Sequence, residues 1–381
     1  QALSDAGLPV QQVSDLTGSS EILDGRVKTL HPIIHVGILA RRDKPEPLSE
    51  LASRQMDTID LVAVNLYPFV ATIARPGVTL DDALENIDIG GPTMIRAAAK
   101  NFPFVAVVVD PSDYPWVAER MAAGGLTIEE RQGLAQKAFQ HVAFYDTIIA
   151  QYLRKDDQID PFPQELTLAY RKVQGLRYGE NPHQKGAFYE EPLLTFANLP
   201  AGTQRLGQEL SLCNIYDMSA ALETVRDFMD RPAAVVIKHA TPSGFAFGKT
   251  LAEALEKAIH ADASSAFGGI IAFNRELDKQ TVQSIIDQQF VEVIIAPSLR
   301  NDAISVLSDK ENIRVLVCGN LDKLRPSLDY KRISGGLLVQ DKDLGELNKA
   351  NLQCVTKIQP TDSQITDLLF AWKVVKYVKS N

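Results

Sequence analysis

Cysteine is scarce. The 381-residue chain has three, Cys213, Cys318 and Cys354, far apart and with no Cys-x-x-Cys pair. An odd, scattered set argues against a disulfide framework or a cysteine-built zinc site, and fits a reducing, cytoplasmic setting. His31, His35, His141, His183 and His260 show no close grouping with other metal-ligand residues. A metal hydrolase is therefore disfavoured and no metal site is expected. Long apolar runs are absent: none approaches the ~20 residues that span a bilayer. The N-terminus lacks the charged-then-apolar order of a signal peptide. Positive charge is not in surplus either. The net charge is -9, which repels nucleic acid unless basic residues gather locally. There is no internal repeat and no low-complexity tract.

What is present is ordinary globular material, 45% apolar and 23% charged, in a length comfortable for two domains. The opening Gln1, and the end at Ser380-Asn381 directly after the helical stretch Asp367 to Lys379, lead us to expect a chain cut at both ends. Leu61 to Tyr67, stopped by Pro68, and Phe104 to Val109, stopped by Asp110-Pro111, read as buried strands of a largely parallel sheet. Between them Thr79 caps a helix running to Asn86, with Asp81 and Asp82 in its first turn. A second helix starts near Gly91-Pro92 and carries Ile95, Ala98 and Ala99. A long one spans about Thr127 to Leu153. The polar stretch Arg154 to Pro163 breaks the pattern and reads as a linker. Beyond it, a second α/β region has strands at Ala233 to Ile237, Gly269 to Phe273, Val291 to Ala296 and Ile313 to Val317. Thr250 to Ala261 is an amphipathic helix between them.

Five constellations can carry chemistry. In Asp24 to Pro32, Arg26 and Lys28 project on one side of an extended stretch and, with Thr29, can grip a phosphate; a solvated basic turn would look the same. In Asp88 to Pro92, two glycines open a helix whose N–H groups suit an anion or oxyanion, or make a plain turn. Lys100, just over two turns on, is an active-site cation or a surface lysine. Leu176 to Gln184 packs Arg177, Tyr178, Glu180, Asn181 and His183 into one loop, for a ligand or for domain docking. Lys238 and His239 end a buried strand before a Pro/Gly turn. Ligands gather at strand ends, and a cationic neighbour favours the neutral, proton-accepting imidazole. Polar residues merely leaving the core would look alike. Ser264 to Gly269 is a small-residue turn that either approaches a ligand or only turns.

Taken together, the stretches GRVKTLHP, NLYPF, IDIGGPTMIRAAAKN, LRYGENPHQ, IKHATPSG, SAFGGIIAFNRE, VEVIIAP, SGGLLVQD and LLFAWKVVKYVKSN, in this order, resemble the bifunctional AICAR formyltransferase/IMP cyclohydrolase family. The likeness runs from about Val13 to Asn381. It implies a methylglyoxal-synthase-like parallel-sheet domain over 1–155, a linker over 156–165, and a formyltransferase domain of cytidine-deaminase-like α/β units, without the deaminase zinc, over 166–381. It further implies that the first strand–helix segment and the C-terminal portion of the family are missing.

The implied activity is formyl transfer from 10-formyltetrahydrofolate to AICAR, then closure of FAICAR to IMP with loss of water. By resemblance Arg26, Lys28 and Thr29 hold the nucleotide phosphate. Asn65, Tyr67, Asp88, Gly90, Gly91 and Lys100 surround the closing ring, with Tyr67, Asp88 and Lys100 assisting closure and the backbone from Ile89 to Gly91 holding the oxyanion. In the second domain Arg177 and Tyr178 bind nucleotide, and Asn214 and Glu292 lie near the carboxamide. Lys238 and His239 form the catalytic pair, and Asn381 positions the formyl donor. Folate enters as cosubstrate. No tightly bound cofactor is implied, a monovalent cation has room, and the expected partner is a second copy in a homodimer. The sequence departs from the family at Thr241 to Gly244, where Asn-Pro-Cys-Gly is common, at Leu212-Cys213 and at Val36. A fragment that binds nucleotide without turnover is the alternative.

Overall fold

A computed structural model of the chain describes residues 2–23, 25–154, 162–193, 199–200, 202–288, 290–308, 310, 312–321 and 326–378. The chain divides into two compact units, Gln1–Tyr170 and Arg171–Asn381. Most of the linker expected at 156–165 lies outside the described residues.

In the first unit β1 (Leu61–Ala63) pairs in parallel with β2 (Ala106–Val108). Both are shorter than the sequence predicts. Val64 still donates to Val108 O at 3.0 Å, but Pro68 then brings the chain into the helix Phe69–Ile73, which diverts it from the sheet. The helix Leu80–Glu85 begins as expected. Thr79 and Asp82 exchange a reciprocal cap, with the Asp82 N–H donating to Thr79 Oγ1 at 3.1 Å and the Thr79 N–H to Asp82 Oδ2 at 3.0 Å. The helix Gly90–Lys100 buries Ile95, Ala97, Ala98 and Ala99 in one cluster with Val105 to Val109 and the Leu134, Ala138 and Val142 stripe of the helix Ile128–Leu153. Small alanines let these helices approach closely. Buried Asn101 locks the far end of Gly90–Lys100, donating through Nδ2 to Ile38 O (2.7 Å) and Ala40 O (3.0 Å).

The second unit opens with a hairpin of β3 (Arg171–Leu176) and β4 (Gly186–Glu190). Its main sheet uses β5 (Thr203–Leu206), β6 (Ala233–Lys238), β7 (Thr241–Phe247), β8 (Ile270–Phe273), β9 (Val293–Ala296) and β10 (Arg314–Val317). The order is β5-β10-β9-β8-β6-β7. β8, β9 and β10 are parallel, while β5, β6 and β7 join antiparallel. The sheet is covered on both faces. Ala234 and Val236 pack toward the helices Leu251–Ala261 and Lys279–Gln288, whereas Ala233, Val235 and Ile237 pack toward the helix Leu212–Arg226. This period-two split explains why β6 reads as a continuous apolar run. A second hairpin, β11 (Leu328–Ile333) with β12 (Gly336–Asp341), precedes the helix Asp362–Val375. That helix starts five residues earlier than expected because Thr361 and Gln364 form a reciprocal cap.

Among the described glycines the least room is at Gly244 of β7, where an added Cβ would lie 1.8 Å from Ala258 O on the helix Leu251–Ala261. A carbonyl cannot swing aside as a side chain can. We therefore predict that Gly244→Ala destabilises the protein by about 1–3 kcal/mol or more. Gly133→Ala, in a helix with nothing within 4 Å, should raise stability by roughly 0.5–1 kcal/mol. Urea unfolding of the two variants checks both signs.

Candidate functional site

In the first unit the structure gathers Thr29, Leu66, Asp88, Gly90 and Gly91 at the start of the helix Gly90–Lys100. The two glycines are needed for space: a Cβ on Gly90 would lie 2.7 Å from Thr29 Oγ1, and one on Gly91 2.5 Å from Asp88 Oδ2 and 2.7 Å from Leu66 Cδ2. Asn65 and Tyr67, on either side of Leu66, are carried to the same edge. Asn65 Oδ1 accepts from the Tyr114 hydroxyl at 3.2 Å, and Tyr67 is about half exposed. The oxyanion nest expected from Ile89 to Gly91 needs correction at one donor. The Gly91 N–H is given to Asp88 Oδ1 at 2.8 Å, so Asp88 caps the helix with the negative charge its dipole favours. Behind Asp88 stands Tyr145, which the sequence reading missed because it sits in the buried stripe of a long helix. Its hydroxyl accepts the Asp88 N–H at 2.9 Å and donates to Asn86 O at 3.1 Å. Burial pushes this phenol above its usual range, which keeps it a donor.

Arg26 and Lys28 reach different carboxylates. Arg26 pairs with Glu85, and Lys28 Nζ lies 3.3 Å from Glu21 Oε2, all four side chains being largely exposed. Such pairs contribute little, about 0–1 kcal/mol, so a phosphate dianion can displace the carboxylates. Lys100 is exposed at the other end of the eleven-residue helix, roughly 15 Å along its axis from Gly90. It is not part of the cluster at the helix start.

In the second unit a cavity of about 240 Å³ is lined by Arg177, Tyr178, Ser211, Asn214, Phe290, Glu292, Asn312 and Arg314. Four of these, Arg177, Tyr178, Asn214 and Glu292, are the residues expected to bind nucleotide there. Arg177 lies over the Tyr178 ring, 5.8 Å from its centroid. Buried Asn214 accepts the Ser211 N–H at 3.1 Å through Oδ1 and donates from Nδ2 to Glu292 Oε2 at 2.8 Å. That bond fixes the amide orientation and occupies one carboxylate oxygen. Two arginines against one carboxylate leave the cavity with surplus positive charge. Ser211, Phe290, Asn312 and Arg314 were not foreseen. The rest of the polar loop after Tyr178 closes on itself instead: the Gly179 N–H donates to Gln184 O at 2.7 Å and the Asn181 N–H to Gln184 Oε1 at 2.8 Å.

Strand register places the Lys-His pair at the same end of the sheet as this cavity, though neither residue lines it. Ile237 pairs with Ile270, Ile270 with Val293, and Val293 with Arg314. Lys238, Gly269, Glu292 and Ile313 therefore line one end of the sheet, and two strand spacings put Lys238 roughly 10 Å from Glu292. This is the carboxyl end of β6 but the amino end of the parallel strands. Lys238 Nζ donates to Phe267 O at 3.0 Å. The next residue, Gly268, donates to Phe290 O at 2.9 Å, in the cavity wall. The expected Pro/Gly turn is corrected as well. Pro242 and Gly244 belong to β7, and the turn is His239-Ala240, both with positive φ, 54° and 55°. A left-handed conformation at a residue other than glycine costs about 1–3 kcal/mol and clusters at functional sites. It leaves His239 exposed and Ala240 buried. Asn381 lies outside the described residues. A wider groove of about 890 Å³ along the helix Lys279–Gln288 holds none of the expected residues.

The two units thus define an α/β protein with separate polar sites, one at a glycine-opened helix and one at an arginine-lined sheet end. The chain belongs to the AICARFT/IMPCHase bienzyme family, whose model matches residues 98–381, and an MGS-like domain matches residues 1–93. Membership places it in purine biosynthesis, among enzymes that join a transferase and a hydrolase. A solved structure described as "Crystal structure of ForH" is 40% identical over 40% of this chain and 79% of that one, with a TM-score of 0.36, too low to bear on the fold. Among the described residues no helix is long and apolar enough to cross a membrane, and no His/Cys/Asp/Glu group has metal-site geometry.

Proposed function

We propose that the protein carries out the last two steps of IMP synthesis. The second unit transfers the formyl group of 10-formyltetrahydrofolate to the 5-amino group of AICAR. The first closes the resulting FAICAR to IMP and releases water. The observation that carries this reading is the cavity uniting Arg177, Tyr178, Asn214 and Glu292 at the sheet end that presents Lys238 and His239. Its volume suits one end of a nucleotide, since whole-ligand sites are about 300–1,000 Å³. Arg177 takes the phosphate, while Asn214 and Glu292 meet the carboxamide as a donor–acceptor pair.

The 5-amino nitrogen attacks the formyl carbon, and His239 takes the proton this nitrogen sheds. Lys238 stabilises the charge that develops on the formyl oxygen, and the carbon–nitrogen bond to folate breaks as the leaving nitrogen takes the proton held by His239 and tetrahydrofolate departs. Asn381 positions the donor. In ring closure the carboxamide nitrogen of FAICAR attacks the formyl carbon. Thr29, Arg26 and Lys28 hold the phosphate, Tyr67 and Asp88 assist proton movement and loss of water, and Lys100, at the far end of the helix Gly90–Lys100, takes part if the site extends along that helix. The substrates are nucleotide and folate, without nucleic acid or membrane. The protein acts in the cytoplasm as a homodimer.

Calorimetric titration tests the recognition step. AICAR should bind at least tenfold more tightly than its nucleoside, because the phosphate adds charge-assisted hydrogen bonds worth about 1.5–3 kcal/mol. Added salt should narrow the gap. Equal affinities for the two ligands would sink this assignment.

A further inference from the structure

The β6–β7 turn is held from outside itself. Two-residue hairpin turns in which both residues have positive φ normally use Asn or Gly. Here His239 and Ala240 adopt that conformation between the paired residues Lys238 and Thr241. Histidine enters this region more readily than most residues, but alanine has nothing that favours it. The structure supplies an external partner in Asp217, whose Oδ1 accepts the Ala240 N–H at 2.7 Å. Asp217 is half-buried on the helix Leu212–Arg226. The same helix carries Asn214 one turn earlier, bonded to Glu292 in the cavity wall. Residues three apart share a helix face. One rigid element therefore holds both the nucleotide cavity and the turn that presents His239.

We infer that Asp217 is a positioning residue for formyl transfer, one that holds the His239-Ala240 turn in its left-handed conformation and ties the imidazole's place to the cavity. Charge on Asp217 is not what the role requires. An acceptor oxygen at that point is enough, because the partner is a backbone N–H. Glycine at 240 would adopt the same backbone without help. The inference rests on the proposed role of His239 and is separable from it.

The test uses the full-length protein with Asp217→Ala, Asp217→Asn and the double variant Asp217→Ala/Ala240→Gly. Asp217→Ala should lower kcat for formyl transfer on the order of ten- to a hundredfold, the scale of a misplaced catalytic group, with KM for AICAR within about twofold. It should also speed hydrogen exchange at the Ala240 amide. Asp217→Asn should keep most of the rate, and glycine at 240 should recover most of what Asp217→Ala loses. Wild-type kcat in Asp217→Ala, equal losses in the Asn and Ala variants, or no recovery in the double variant would each overturn the inference. So would unchanged exchange at Ala240, a readout that needs no turnover. If the unaltered protein transfers no formyl group, the proposed function is what fails, and the exchange measurement still decides whether Asp217 holds the turn.

Discussion

Replacing His239 with alanine in the full-length protein should remove most formyl transfer, about 10²–10⁴-fold, and leave ring closure nearly intact. The 5-amino group of AICAR is conjugated with the imidazole ring and is a poor nucleophile, so proton removal during attack matters. His239 is the exposed half of a strained turn at the sheet end that also carries the cavity. Deleting an exposed imidazole removes no core packing, so the melting temperature should hardly move. A residue that only capped the strand would behave differently, with loss of stability matched by loss of both activities. Assaying AICAR with the folate donor, and FAICAR alone, alongside thermal unfolding separates the two outcomes. Full transferase activity at an unchanged melting temperature would exclude His239 as the base.

Lys100→Ala should have the opposite selectivity. Removing a group that stabilises developing charge typically costs about 10²–10³-fold. We expect ring closure to fall on the order of a hundredfold, with formyl transfer within about twofold. Lys100 is exposed in the last turn of Gly90–Lys100, where a cation also interacts with the helix dipole for about 0.3–1 kcal/mol. A small drop in melting temperature is therefore expected and cannot account for a hundredfold loss. The neighbouring Asn101 clamp on Ile38 and Ala40 remains in the variant, so the helix end keeps its place. Since Lys100 stands apart from the Thr29, Asp88 and Gly90 cluster, this variant asks whether the site extends along the helix. Equal loss of both activities would contradict the assignment.

Periodicity and capping chemistry are local, and these made the helices legible. The helices start at Thr79 and Thr127 as the sequence reads them, and each start is a reciprocal cap, with Asp82 and Glu130 respectively. The four inner strands of the second unit follow from short apolar runs. The limits of β1 did not, because its pairing stops where β2 stops, at Val108, well before the proline that the sequence reads as its end. The cavity was half legible. Arg177, Tyr178, Asn214 and Glu292 were found through resemblance, whereas Phe290, Asn312 and Arg314 reach it because strand register aligns the starts of β9 and β10. No local signal marks those three, while Ser211 arrives as the cap of the helix that carries Asn214. Gly90 and Gly91 were recognised as special for exposing N–H groups, but Thr29, Leu66 and Asp88 are the atoms that require them to be small. The His239-Ala240 turn was hidden by Pro242 and Gly244, turn formers that here sit inside a strand. Its stabilising contact with Asp217 spans 23 residues.

The proposed function has one chain performing two consecutive steps. Its most direct test is to incubate the full-length protein with AICAR and 10-formyltetrahydrofolate and to follow the nucleotides by chromatography and the folate by absorbance. AICAR should be consumed, FAICAR should appear only transiently, and IMP should accumulate one for one with tetrahydrofolate. AICAR bound but unchanged, with no tetrahydrofolate formed, would contradict it and leave a nucleotide-binding protein without turnover.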